Sequence, residues 1–73
     1  MKPTKGRIIL VTTPGREING QIEHAAIVTQ VWSDTMVNTM LFPGAGDPVP
    51  QGSVTFADPP SEASATWRWP PRE

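Results

Sequence analysis

The sequence predicts a small all-β domain, and three observations carry that expectation. Apolar and β-branched residues gather in short runs: GRIILVTT, AAIVTQVW, MVNTMLF, SVTFA and ATWRW. Between the runs stand turn-forming clusters, and the chain holds nine prolines and six glycines. No run keeps a helical spacing beyond one turn. Five short strands separated by Gly/Pro-rich loops in 73 residues fit a five-stranded SH3-like barrel with little or no helix. An OB-fold is the less favoured choice, since it normally takes a longer chain and a helix.

The polar lead-in, residues 1–5, reads as an extended tail, with Pro3 fixing its backbone. A first strand is expected near Lys5–Thr12. Its continuous apolar run fits a strand buried on both faces or one crossing an oligomer interface. Thr13–Gln21 is a loop with turn pairs Pro14-Gly15 and Asn19-Gly20. The second pair could also tip a small hairpin arm between Arg16 and Glu23.

His24–Phe42 holds most of the hydrophobic mass and reads as a β-hairpin. Alternation places Ala26, Val28, Gln30 and Trp32 on one face of its first strand, with Trp32 a core or rim residue. Ala25, Ile27, Thr29 and Val31 take the other face. Ser33-Asp34-Thr35 makes the connection, with Asp34 expected to close the turn through its side chain. The returning strand sets Val37, Thr39 and Leu41 against Met36, Asn38, Met40 and Phe42. Neither face is plainly polar, so one should pack the barrel and the other, with Met36, Met40 and Phe42, a second subunit.

Residues 43–52, PGAGDPVPQG, carry three prolines and three glycines and are read as an irregular loop. Ser53–Ala57 is a short alternating strand, and 58–63 another Pro-rich turn. Ala65–Trp69 is the last strand, with Trp67 and Trp69 on one face; Pro70 and Pro71 end it. Residues 70–73 form a tail, and 1–73 is a single domain.

A chain this small buries only about 60% of its unfolded surface and needs support. There is no cysteine and one histidine, so disulfides, thiolate metal sites and a His-rich metal site are excluded. Oligomerisation is the support left. Six basic against seven acidic residues, net charge −1, is no footprint for duplex nucleic acid. The apolar run Ile8–Val11 is too short for a signal-peptide core or membrane span, so a soluble, cytoplasmic protein is expected, with no membrane association.

Catalytic chemistry finds little purchase. His24 is the one histidine that could serve as a base, and no nucleophile elbow surrounds any serine. The carboxylates fall in turns or at strand ends, where they are solvated or cap turns. Glu23 and His24 are adjacent on a strand and point to opposite faces, which disfavours a shared metal ion. PGAGDP lacks a phosphate-loop pattern, although its backbone N–H groups could form an anion nest. No cofactor, metal or enzymatic activity is expected.

Binding chemistry is more visible. Trp67-Arg68-Trp69 offers two indoles and a guanidinium, a combination that stacks bases, although tryptophan also fills small cores. If first and last strands are neighbours, Arg7, Arg16, Arg68 and Arg72 could converge, repeated around a symmetry axis in an oligomer. Candidate ligand contacts are therefore Arg7, Arg16, His24, Trp67, Arg68 and Trp69.

GRI at 6–8, AAIVTQVW at 25–32, VN at 37–38, Phe42 and TWRWP at 66–70 together resemble short proteins carried in phage and prophage genomes. Their frame runs GRIV, AAIVTxVW, VNLxVF, a Gly/Pro loop and a terminal TWxWP. Thr39 departs from it, standing where an apolar residue is usual. The frame is a packing signature without a catalytic motif. What the resemblance implies is a phage or prophage setting; together with the small oligomer-prone barrel, the Trp/Arg terminus and the missing catalytic set, the expected function is a homo-oligomer that sequesters a nucleotide-derived host immune signal and so counters defence. The alternatives are a protein-binding or virion accessory module, with a host or virion protein as partner, and a single-stranded nucleic-acid binder.

Overall fold

A computed structural model describes residues 2–71. Five strands, β1 (Ile8–Thr12), β2 (Glu23–Val31), β3 (Met36–Phe42), β4 (Val49–Phe56) and β5 (Thr66–Arg68), follow one another around a closed barrel. Each strand pairs antiparallel with the next from β1 to β4. β5 returns antiparallel to β1 and meets β4 in a short parallel seam. No helix occurs among the described residues, so none is long and apolar enough to cross a membrane. The all-β class is as the sequence predicts, and the architecture is consistent with an SH3-like barrel.

Period-2 alternation sets the core. Ile9 and Val11 from β1, Ala26 and Val28 from β2, Val37 and Leu41 from β3, Val54 from β4 and Trp67 from β5 fill the interior. Thr39 occupies an inward position among them at 3% exposure, and its hydroxyl donates to the Gln51 carbonyl at 2.9 Å. That bond removes the cost of placing a hydroxyl there. Trp67 spans the barrel floor and donates its indole N–H to the Thr35 carbonyl at 2.9 Å.

Several expectations change. β4 begins at Val49, so the second half of the expected loop 43–52 is strand. Val49 pairs with Leu41 and packs on the core, which outweighs the turn chemistry around it. Pro50 is tolerated because β5 reaches β4 only at Thr55 and Phe56, leaving an edge where a missing N–H breaks no ladder bond with β5. β1 starts later than expected. Residues 2–6 do not trail free: Pro3 is buried, and the Gly6 N–H donates to the Val28 carbonyl at 2.8 Å. In the hairpin turn, Ser33 Oγ accepts from the Thr35 and Met36 N–H groups, while Asp34 lies 3.8 Å from Lys2. Ser33, rather than Asp34, closes the turn.

The small hairpin arm is present. Ile18 and Gln21 exchange backbone hydrogen bonds of 2.9 and 3.1 Å around Asn19 and Gly20. Those two have φ of 55° and 76°, the positive values a two-residue primed turn requires.

The largest revision concerns Trp32. The register with β3 slips between Val28 and Gln30, so that Gln30 faces Asn38 and Val31 faces Val37. Thr29 is the extra residue of this β-bulge, and beyond it the two faces of β2 exchange. Trp32 therefore leaves the Ala26–Val28 face, turns outward and stands 58% exposed.

Candidate functional site

The outer surface of β1–β3 carries the most distinctive chemistry of the barrel. Pairing registers set Ile8, Ile27, Met40 and Pro50 in one row across four strands, with Leu10, Ala25 and Phe42 in the next. Ile8 is 54% and Phe42 42% exposed, while Leu10, Ile27 and Met40 are half-buried by one another. Cross-strand neighbours of this kind shield one another but still leave a continuous apolar face. Met36 lies on the same side of β3, further toward the hairpin tip.

The face ends in an ion pair. Arg68 follows on from the Leu10 row, and Glu23 pairs with Thr12 one step further along. Arg68 Nε and Nη2 donate to Glu23 Oε2 and Oε1 at 3.1 and 3.4 Å. The hydrogen bond to Glu23, then its charge, hold the guanidinium above the ordinary arginine value.

The sequence named Met36, Met40 and Phe42 for such a face. It did not name Ile8, Leu10, Ala25 and Ile27 for it, although the uninterrupted apolar run of β1 was the signal for the first two and the alternation of β2 for the others. An inward-and-outward apolar strand must cover something on each side.

The candidate ligand contacts do not come together. Arg7 precedes β1 and packs over the Trp69 ring at 5.3 Å. Arg16 lies beyond the other end of β1, which spans about 15 Å, and donates to Gln51 at 3.2 Å. Arg68 is engaged by Glu23, and Arg72 lies outside the described residues. Trp67 is 2% exposed and stands edge-on between Phe56 and Trp69, with ring centroids 5.0 and 5.1 Å away. Its ring belongs to the core, and no face of it is open for a base to stack on. His24 is 4% exposed and inward-facing beside Val11, with Nε2 unpartnered among the described residues.

Three of the shallow clefts among the described residues bear on the ligand reading. One of about 370 Å³ lies between Pro14, Ile22 and Pro60 with Glu23 and Glu62 on its walls. One of about 340 Å³ is bounded by Phe56, Trp69 and Asp34. The third, about 230 Å³, adjoins Ala25 and Phe42 and includes Glu23. The charged groups lining all three are carboxylates, which repel a phosphate and favour neutral or cationic occupants. The loop 43–48 turns its Pro43 and Ala45 carbonyls to the Asn19 carboxamide at 3.0 and 2.7 Å, so part of its polar backbone is engaged with the hairpin arm.

The site thus defines a closed barrel with one apolar outer face. No protein-family model matches the chain, and neither curated proteins nor solved structures show a significant match to it.

Proposed function

We propose that the protein is a non-enzymatic binding barrel that works as a homo-oligomer joined through the outer face of β1–β3. The observation that carries this reading is the two-row apolar ladder, Ile8–Ile27–Met40 and Leu10–Ala25–Phe42, on a domain whose interior is already filled by other residues. A 73-residue barrel gains from covering such a surface, and a symmetric contact covers it on two copies at once. Sedimentation velocity over a concentration series tests it. The wild type should associate, and Phe42→Asp or Ile8→Asp should leave folded monomers. A wild type that stays monomeric at high micromolar concentration overturns the proposal.

The ligand reading is sequestration of a compact nucleotide-type anion, in a phage setting a host immune signal. The Arg7 guanidinium over Trp69 supports it, since an oligomer would repeat that cation–aromatic pair around its axis. The carboxylates on the clefts described above disfavour an anion there, and the reading places it where copies meet. Cyclic nucleotides and ADP-ribose derivatives should raise the melting temperature of the wild type but not of Arg7→Ala. No shift with any of them removes this reading and leaves a protein-binding or virion accessory role, served by the same outer face, as the one to pursue. Co-purification of one host or virion protein would then identify the partner.

A further inference from the structure

We infer that Trp32 is the anchor of the self-association face, held ready for a second copy of this chain by Asn38. The inference rests on the oligomer reading above and says which side chain dominates the contact. Simple alternation would bury Trp32 beside Val28. The bulge at Thr29 reverses that and sets the indole on the outside, level with Met36 and separated from the Ile27–Met40 row by the Gln30–Asn38 row.

The exposed ring is fixed. Asn38 Oδ1 accepts the Trp32 indole N–H at 2.9 Å and, on its other side, the Ser53 backbone N–H at 2.8 Å. The second bond is made possible by another irregularity. The β3–β4 register slips between Val37 and Thr39, and Ser53 adopts φ of 53°. Gly52 completes the arrangement, because a Cβ there would stand 3.2 Å from Asn38 Oδ1. Two bulges, one left-handed serine and one glycine thus converge on a single carboxamide. The first bulge turns Trp32 outward, and the carboxamide then fixes its ring. A tryptophan pinned in one orientation loses little freedom on docking, and tryptophan is the residue most enriched among dominant interface contacts.

The occupant follows from charge and exposure. The ion pairs flanking the face, Lys2–Asp34 by the hairpin tip and Glu23–Arg68 at the far edge, are satisfied within the subunit. Among the described residues each pair cancels in charge, so neither steers a nucleic acid or a charged peptide to the face, whereas a second copy presents the same apolar surface. Trp32 at 58%, Ile8 at 54% and Phe42 at 42% exposure are large apolar side chains on one side of the sheet, the kind of surface a symmetric contact would cover on both copies at once.

Sedimentation equilibrium on the wild type, Trp32→Ala, Trp32→Phe and Asn38→Ala tests the anchor, with circular dichroism confirming that each variant is folded. Trp32→Ala should weaken association about thirtyfold or more. Trp32→Phe should weaken it less, and Asn38→Ala should also weaken it, because the ring loses its clamp. Trp32 makes no core contact that the fold depends on, so this variant remains informative even if Asn38→Ala does not fold. If the wild type associates and Phe42→Asp disrupts it, yet Trp32→Ala matches the wild type, the anchor is refuted while the oligomer reading stands. A monomeric wild type refutes both at the earlier step.

Discussion

Arg68 reaches past β1 to Glu23, with its Nη2 3.1 Å from Glu23 Oε2 and its Nε 3.1 Å from the same oxygen. One side chain from the last strand and one from the second thereby tie β5 to β2 over the strand between them. The pair holds the guanidinium above its ordinary value, so rising pH removes nothing on the Arg68 side of it until the arginine range is passed. Arg68→Lys should therefore behave differently from the wild type in alkali. Its melting temperature should fall further behind as pH passes about 10, where an ordinary lysine loses its proton. Thermal melts of both proteins from neutral pH upward check this; parallel curves would show that the pair adds nothing to stability.

Leu41 sits fully buried on β3 between Ala26 and Val49 partners. Leu41→Ala removes buried methylenes from a closed barrel that has little room to collapse, and should cost about 2–5 kcal/mol. In so small a domain that is most of the stability. Denaturant titration should find the variant largely unfolded or with a steeply reduced midpoint.

His24 carries the opposite expectation. Its Nε2 is enclosed without a hydrogen-bond partner among the described residues. His24→Leu keeps similar bulk and removes the unsatisfied nitrogen, so it should stabilise the fold by about 1 kcal/mol. A loss of stability by the same titration would mean that the imidazole makes a contribution its surroundings do not reveal.

Gly52 and Ser53 are neighbours with opposed predictions. Ser53→Gly relieves a left-handed backbone at φ 53° and should raise stability by about 1 kcal/mol. Gly52→Ala presses a methyl toward Asn38 Oδ1 and should displace it, freeing the Trp32 indole. Quenching of tryptophan emission by acrylamide should rise in Gly52→Ala and stay unchanged in Ser53→Gly.

Where alternation is regular, the barrel was legible in the chain. Val37, Thr39 and Leu41 turn inward and Met36, Asn38, Met40 and Phe42 outward, as period 2 requires. The Asn19-Gly20 turn was legible because both residues tolerate positive φ, while the choice between a plain loop turn and a hairpin arm was made by the Ile18–Gln21 bridge. What escaped were places where packing overrides local chemistry. Val49 and Pro50 look like loop but lie opposite Leu41 and Met40, and pairing with them decides their state. The bulge at Thr29 has no sequence mark, since threonine suits a regular strand equally well, and everything about Trp32 depended on it. The outer face was named from β3, while on β1 the apolar run signalled two covered sides and register was needed to say that Ile8 and Leu10 are the outward ones. The arginines were near in imagination because β1 and β5 are indeed neighbours, but strand length holds Arg7 and Arg16 apart.

β5 is three residues long and touches β4 through only Thr55–Thr66 and Phe56–Trp67. On its other edge it meets β1, where Leu10 pairs with Arg68 from the far end of the chain. The ring cannot close until those distant segments find each other, which places folding among the slower, millisecond-to-second class typical of non-local β topologies. The same seam is the natural first point of breathing: amide protons along it should exchange with solvent ahead of those in the β2–β3 ladder, through openings that leave the central hairpin intact.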